Sequence, residues 1–263
     1  MTRSGTHHGL RALSPAYQMM LSHDPHAAGS IDRRLMESME LLDVTTQERL
    51  YRPPGPAQYQ RHSRPALESV LRTIPGVAEQ PVAAITAYCQ ALGRGIADDV
   101  FALRFGGTEE AIIARGSDWC TDVARVACVL LQVAGLPARL VYLFDLSRAY
   151  SGHTVIEVFH HGHWGVVDPL LGIVYRDGGT QVYSAAQLQA SPRLVAGFHA
   201  TASANAQGQA DLYTTLGIAA YAVADTQRYN CTVTTTNHYT RTVLDMAHKG
   251  WPGGLRWLFG EDA

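Results

Sequence analysis

The sequence is first informative in what it lacks. It has no apolar run approaching the ~18 residues of a membrane-spanning helix. Its opening residues, Met-Thr-Arg-Ser-Gly-Thr-His-His, lack the apolar stretch of a secretory signal peptide. A formal net charge of −2 gives no electrostatic basis for binding nucleic acid or a membrane surface. We therefore expect a cytoplasmic protein with neither kind of partner.

Cysteine is also scarce, and its distribution argues against a metal site or a disulfide framework. The cysteines are widely scattered and show no paired metal-ligand spacing. A histidine cluster occupies residues 160–163, but no cysteine or acidic residue has the spacing to complete a zinc site around it. We predict no metal and no other cofactor, and a reducing compartment suits this cysteine usage. The four cysteines are Cys89, Cys120, Cys128 and Cys231.

Length and composition allow one sizeable domain with appendages. The chain has 263 residues, of which 46% are hydrophobic. Residues 1–30 are polar and are expected to form an N-terminal arm. Residues 31–263 are expected to form a single domain, with its central core at about residues 107–175. A C-terminal extension at about residues 200–263 is expected to pack on that core.

Hydrophobic periodicity predicts helices on both sides of this core. The predicted helices cover residues 30–42, 65–73, 81–92 and 185–190. The apolar stripe of the first helix consists of Ile31, Leu35, Met39 and Leu42.

Cys120 is predicted to lie in the first turn of a further helix. The apolar stretch that follows it has helical spacing, and Gly135 with Pro137 ends the stretch. Unpaired N–H groups and the helix dipole favour a negative charge at this position. A thiol placed there beside a histidine can have its pKa lowered from about 8.5 to about 3.5–7.5. Taken alone, a free cysteine is more often a buried core residue.

Two predicted strands follow this helix. His153, Val155 and Glu157 alternate onto one face of the first strand. If residues 161–162 form a two-residue turn, Asp168 on the return strand lies opposite Val155 and diagonal to His153 on the same face. The spacing therefore predicts a His–Asp hydrogen bond. A slip of one residue would move the carboxylate to the other face.

This stretch resembles the transglutaminase-like core, a papain-related superfamily of cysteine enzymes. The resemblance covers roughly residues 107–175. It is carried by a helix-opening cysteine, a Gly-Leu-Pro-Ala-Arg-Leu strand entry, a histidine with an acidic residue four positions on, a tryptophan, and an Asp-Pro pair. In order these are Cys120, Gly135 to Leu140, His153 with Glu157, Trp164, and Asp168 with Pro169.

The resemblance implies an α+β, papain-like fold in which the helix that bears Cys120 packs on an antiparallel sheet between flanking helices. It also implies Cys120 as nucleophile, His153 as general base and acid, and Asp168 as the group that orients the histidine. The implied reaction is acyl transfer through a thioester, from a small-molecule or peptide-like substrate to an amine. Amide hydrolysis by a peptidase, amidase or deamidase stays open, as do an inactive binding module and the oligomeric state.

Other residues are candidates for contacting the substrate or supporting the site. The chain departs from the family pattern around Cys120: it has Asp118 where the family commonly has glycine, and Thr121 where the animal enzymes have tryptophan. Glu157 fits a substrate contact and a buried, paired strand acid equally well. The first oxyanion donor is expected to be the Cys120 backbone N–H, and the second is left among Tyr88, Gln90 and Trp119. The support candidates are Trp119, Glu157 and Trp164.

Overall fold

In the part of the chain that the structure describes, a six-stranded sheet lies between helices, an α+β fold as expected. The computed structural model describes residues 39–42, 44–57, 59–93, 108–117, 120–145, 150–176, 182–191 and 220–224. The strands are β1 (Met39–Leu41), β2 (Ala138–Asp145), β3 (Tyr150–His160), β4 (His163–Asp168), β5 (Ile173–Val174) and β6 (Ala220–Ala224). The helices are α1 (Val44–Leu50), α2 (Pro65–Thr73), α3 (Pro81–Gln90), α4 (Glu109–Arg115), α5 (Cys120–Val133) and α6 (Ala185–Ala190), with a 3-10 turn at Ala91–Gly93.

The sheet is built around the antiparallel strands β2, β3 and β4, with β6 and β1 beyond β2 and β5 beyond β4. A two-residue turn at His161 and Gly162 joins β3 to β4. The φ angles of these residues, 52° and 82°, suit the type I′ turn that matches the twist of a hairpin. The turn sets a register in which Ile156 lies opposite Val167. The predicted hairpin is therefore confirmed in position and in register.

Helix α5 packs across one face of this sheet. Its side chains are buried from residue 121 to residue 132, because α2, α3 and α4 cover the sides that the sheet does not. Beneath it lie Leu140, Ile156 and Val158 of the sheet. Gly135, at φ 87°, follows the end of the helix, where a left-handed residue is favoured.

Strand side chains of the opposite parity form a second apolar cluster on the other face. Val141, Val155 and Val166 pack there with Leu188 of α6 and with Leu42 beside β1. The two faces of β3 are therefore both buried, one under α5 and the other under α1 and α6. A residue of β3 is consequently held in position by packing from both sides.

Buried ion pairs fasten the neighbouring helices to α5. Glu109, at the start of α4, lies 2.6 Å from Arg64 and 2.7 Å from Arg125. Arg64 also donates to Glu110. An unpaired buried charge costs about 3–5 kcal/mol, so these side chains hold α2, α4 and α5 together.

One predicted helix is wrong where it can be checked. Residues 39–41 were placed at the end of a helix from residue 30, whereas they form β1 and pair with β6, Met39 lying opposite Ala224. The apolar spacing there is too short to outweigh pairing with a strand that comes much later in the chain. The helices at residues 65–73, 81–92 and 185–190 are confirmed.

The predicted N-terminal arm lies outside the described residues. Of the predicted C-terminal extension, residues 220–224 are described, and they form β6, the strand between β1 and β2. No helix in the described part of the chain is long and apolar enough to cross a membrane.

Candidate active site

A histidine and an aspartate meet where β3 and β4 run side by side. His153 Nε2 lies 2.7 Å from Asp168 Oδ2, and the two side chains are 5% and 1% exposed. The register set by the hairpin turn brings them together, as the spacing predicted. The predicted His–Asp hydrogen bond is confirmed.

The second oxygen of Asp168 is held by the turn that follows β4. Asp168 Oδ1 accepts hydrogen bonds from the N–H groups of Leu170, at 3.1 Å, and Leu171, at 3.0 Å. Gln90 of α3 donates to the carbonyl of Leu171 at 2.9 Å. A Cβ on Gly172, at φ 71°, would lie 2.5 Å from the Gln90 amide, so this close approach requires glycine. Both carboxylate oxygens therefore have a fixed environment.

The contact with Asp168 gives the two ring nitrogens of His153 different protonation states. When the carboxylate is ionised it only accepts hydrogen bonds, so the facing Nε2 of His153 must carry the proton. The lone pair is then on Nδ1, which is the nitrogen able to receive a proton from another group. Burial raises the pKa of Asp168 to about 7, whereas the two backbone N–H groups that it accepts from lower it.

Cys120 is the first residue of α5 and is partly exposed. The backbone N–H of Thr154, the residue after His153, forms a hydrogen bond with the thiol. The hydroxyl groups of Thr121 and Thr154 lie 3.0 Å apart and are buried. The start of α5 is thereby joined to the segment of β3 that carries His153.

A β-bulge lies immediately before His153. Leu143 pairs with His153, but the next residue of β2, Phe144, pairs with Ser151, which leaves Gly152 unopposed. Bulges redirect the neighbouring side chains and occur frequently beside active sites. The bulge was not predicted, although a glycine directly before a strand histidine is a sequence signal that indicates one.

The predicted lowering of the Cys120 pKa is wrong. Removal from water raises the pKa of the thiol to about 11, and the charge of Asp168 raises it further. Hydrogen bonds from the backbone and hydroxyl of Thr121 and from the backbone of Thr154 act in the opposite direction. The prediction considered the helix terminus and the histidine but not burial, which spacing along the chain does not reveal.

Glu157, four residues after His153, is fully used by the protein itself. Its Oε2 accepts from Nε and Nη2 of Arg139, at 2.8 and 2.6 Å. Its Oε1 accepts from the Tyr51 hydroxyl and from the backbone N–H of Ala185, each at 2.7 Å. Burial raises the pKa of Tyr51, so the phenol stays a donor. Of the two interpretations left open, the structure favours the buried, paired strand acid.

Trp164 belongs to the same cluster. The Arg139 guanidinium lies over its ring, 4.0 Å from the centroid, and over the ring of Tyr51 at 5.0 Å. The indole N–H donates to the carbonyl of Arg52 at 3.4 Å. Sequence reasoning missed the roles of Arg139 and Tyr51. The arginine lies in the quoted Pro-Ala-Arg stretch, whereas nothing near Tyr51 in the sequence signals its part.

The second oxyanion donor remains a prediction. Gln90 donates its amide N–H to the Leu171 carbonyl, so it serves the turn beside Asp168. Tyr88 is partly buried and packs against the core under α5. Trp119, the third candidate and one of the proposed support residues, lies outside the described residues. In the described ranges, no three His, Cys, Asp or Glu side chains are grouped as a metal site would require.

Comparison with known families gives one match. Residues 105–169, about a quarter of the chain, match the sequence model of the transglutaminase-like superfamily. The matched region spans Cys120, His153 and Asp168. No curated protein and no solved structure gives a significant match to the chain.

Proposed function

We propose that this chain, whose residues 105–169 belong to the transglutaminase-like superfamily, transfers acyl groups through a thioester on Cys120. The observation that supports this most is the buried 2.7 Å contact between His153 and Asp168 on strands joined to the start of the cysteine helix. A cysteine, a histidine and a carboxylate so arranged are the parts of a nucleophilic acyl-transfer site.

In the proposed reaction His153 acts first as base. The Cys120 thiol gives its proton to His153 Nδ1, and the sulfur attacks the carbonyl carbon of an amide, ester or thioester. The bond to the leaving group then breaks, the leaving group takes the proton from Nδ1, and a thioester remains on Cys120. An incoming amine attacks this thioester and gives its proton to His153, and the thiolate of Cys120 leaves and is reprotonated by His153.

The raised pKa of the Cys120 thiol favours one of two forms of this mechanism. Burial raises this pKa to about 11, which favours a neutral thiol over a standing thiolate at neutral pH. The proton must therefore leave as the sulfur attacks, which makes His153 necessary for the first step. Asp168 stabilises the imidazolium that forms and keeps Nδ1 directed away from the carboxylate.

We place transfer to an amine before hydrolysis. His153 and Asp168 are almost completely buried, so little water reaches the base that would have to activate it. With a p-nitrophenyl ester as acyl donor, increasing hydroxylamine should divert most of the product from the acid to the hydroxamate. A product that stays mainly acid at high hydroxylamine would instead identify a hydrolase.

The alternative of a different class is an inactive module that keeps the fold for binding. The raised pKa of the Cys120 thiol, about 11 because of burial, favours it. The two proposals differ in whether Cys120 reacts faster than the other cysteines. Cys89 and Cys128 are completely buried in the core, and burial raises the pKa of Cys89 strongly. Cys231 lies outside the described residues.

A brief, limiting pulse of iodoacetamide near neutral pH, followed by peptide mapping, tests the proposal. We expect Cys120 to be labelled faster than the other three cysteines, and His153→Ala to remove that difference. Faster labelling of another cysteine would show that the nucleophile is wrongly assigned. Labelling of Cys120 that does not depend on His153 would favour the inactive module.

A further inference from the structure

Two buried threonine hydroxyls lie between the cysteine helix and the histidine strand. Thr121 Oγ1 of α5 and Thr154 Oγ1 of β3 are 3.0 Å apart, and the residues are 5% and 1% exposed. Thr121 Oγ1 also lies 4.0 Å from the sulfur of Cys120. The two hydroxyls thus form a chain of contacts from β3 to the sulfur of Cys120, the proposed nucleophile.

Each hydroxyl has a single proton, and this restricts the directions in which the two hydrogen bonds of this chain can run. A thiolate only accepts hydrogen bonds, so once Cys120 is ionised the Thr121 hydroxyl must donate to the sulfur. Thr121 Oγ1 then has only its lone pairs to offer to Thr154. The Thr154 hydroxyl is consequently the donor in the 3.0 Å contact.

We propose that Thr121 and Thr154 form a hydroxyl relay that stabilises the Cys120 thiolate as it forms. Thr154 donates to Thr121, and Thr121 donates to the sulfur. The inference rests on the proposed role of Cys120 as nucleophile. Thr121 touches the reacting atom, whereas Thr154 acts through Thr121 and is a positioning residue.

The surroundings explain why a hydroxyl is useful at this point. Besides His153, the proposed base, the groups that act on the thiol include Asp168 from β4, the N–H groups of Thr121 and Thr154, and the Thr121 hydroxyl. Asp168 and burial oppose ionisation of Cys120, and the Thr121 hydroxyl favours it. Linked hydrogen bonds polarise one another, so a donor behind Thr121 makes its hydroxyl a better donor to sulfur.

The test is the rate of Cys120 alkylation by iodoacetamide between pH 6 and pH 10. Thr121→Val keeps the side-chain shape but removes the donor, and should slow alkylation near pH 7.5 by about tenfold, equivalent to one pKa unit. Thr154→Val should slow it by about two- to threefold, because it removes only the polarising donor. The valine variants should be slower than the wild type at every pH of this range, because a thiol with a pKa of about 11 stays below its midpoint throughout.

Serine variants and a remote threonine distinguish the relay from packing. Thr121→Ser and Thr154→Ser keep the hydroxyl and lose a methyl group, so they should react nearly as fast as the wild type. The control is Thr86→Val, which deletes a buried hydroxyl that donates to the Val82 carbonyl in α3 and should leave alkylation unchanged. The double valine variant should be no slower than Thr121→Val alone, since the two hydroxyls act as one unit.

The relay is overturned if the serine variants are as slow as the valine variants, or if Thr154→Val reacts like the wild type. If Thr121→Val does not fold, Thr154→Val and the two serine variants still decide the question, because none of them removes the Thr121 hydroxyl. His153→Ala in the same assay separates this inference from the proposed function. A slow His153→Ala with unaffected threonine variants removes the relay alone, whereas a fast His153→Ala removes the proposed function.

Discussion

Strand β3 carries two buried acid–base pairs on one face, four residues apart. His153 meets Asp168 with one 2.7 Å contact, and Glu157 meets Arg139 with two contacts from the guanidinium. The pairs differ in what surrounds the carboxylate. Each oxygen of Glu157 faces at least one donor that cannot become an acceptor, the Arg139 guanidinium at Oε2 and the Ala185 backbone N–H at Oε1. One oxygen of Asp168 faces an imidazole, which can either donate or accept.

This difference separates a fixed pair from one that can exchange a proton. A guanidinium has hydrogen-bond donors and no acceptor, so the pair of Arg139 with Glu157 keeps one hydrogen-bonding arrangement and joins β2, β3 and the N-terminus of α6. His153 and Asp168 are buried to a similar degree but keep a proton that can move. Burial therefore does not distinguish the two pairs, whereas the capacity of one partner to change its hydrogen-bonding role does.

The largest expected effect follows from replacing the Asp168 carboxylate, a hydrogen-bond acceptor, by an amide whose NH2 group is a donor to the His153 imidazole. In Asp168→Asn, the N–H groups of Leu170 and Leu171 keep the amide oxygen at the Oδ1 position. The amide NH2 then faces His153 Nε2, which must accept, so the ring proton moves to Nδ1. A ring protonated at Nδ1 cannot take the proton of Cys120, and turnover should fall by about 10²- to 10⁴-fold.

Steady-state turnover of an activated ester measures this loss, and the near-UV spectrum shows whether the fold is kept. Alkylation of Cys120 should slow in the same variant. Adding His153→Ala should reduce turnover little further, because residues of one catalytic unit are not additive. Losses that multiply would show that Asp168 acts independently of His153.

The same isosteric change at the other pair should affect stability instead. In Glu157→Gln, whichever oxygen becomes NH2 faces either the Arg139 guanidinium or the Ala185 N–H, and neither can turn into an acceptor. The Arg139 charge also loses its partner. Breaking a buried pair in this way costs about 3–5 kcal/mol, measurable by urea unfolding.

An exposed pair supplies the matched control. Glu48 lies 3.2 Å from Arg52 with most of both side chains in water, so Glu48→Gln should change the free energy of unfolding by no more than about 0.5 kcal/mol. A Glu157→Gln protein as stable as the wild type would show that the Glu157–Arg139 pair is no more fixed in its hydrogen bonding than the His153–Asp168 pair.

A smaller effect concerns the pH dependence of stability. Burial raises the pKa of folded Asp168 to about 7, against about 3.9 for an unfolded aspartate. Between these values the folded protein holds a proton that the unfolded chain has lost. The stabilisation that comes from the raised pKa of Asp168 is therefore fully present below about pH 4 and is lost as the pH rises through 7.

Asparagine does not titrate, so Asp168→Asn should gain stability relative to the wild type by about 3 kcal/mol between pH 5 and pH 8. Urea unfolding of both proteins at several pH values gives this difference. If the free energy of unfolding of the wild type instead rises relative to that of Asp168→Asn as the pH increases, the partners of the Asp168 carboxylate stabilise it more than burial destabilises it.

The sequence predicted what depends on local geometry. A two-residue turn fixes the register of a hairpin, so the meeting of His153 and Asp168 followed from counting residues. The position of Cys120 in the first turn of α5 likewise followed from helical spacing. The catalytic roles of these three residues remain predictions.

What the sequence did not predict depends on burial and on distant partners. The direction of the Cys120 pKa shift was wrong because water exclusion and the Asp168 charge are properties of the folded interior. The donors to Glu157 lie 18, 28 and 106 residues away along the chain, so no short spacing signals them. Met39–Leu41 was assigned to a helix because its partner strand, β6, lies almost two hundred residues later.

The smallest predicted effect tests whether Trp164 belongs to the fixed pair or to the site. Its ring covers the Arg139 guanidinium at 4.0 Å, and its N–H contact with the Arg52 carbonyl is long at 3.4 Å. Trp164→Phe keeps an aromatic face over the guanidinium but weakens the attraction, because phenyl binds a cation less strongly than indole. Unfolding should become easier by about 0.5–1 kcal/mol.

Alkylation of Cys120 should be unchanged in Trp164→Phe, since the packing that this ring provides lies around Arg139 and not around His153. A matched change on the neighbouring ring is Phe159→Leu, because Phe159 meets Trp164 edge to face at 5.5 Å. If Trp164→Phe slows alkylation while Phe159→Leu does not, then Trp164 acts on the site. The aromatic rings over Arg139 would in that case help β3 and β4 to position His153. Only Glu157 would then distinguish the fixed pair from the pair that can exchange a proton.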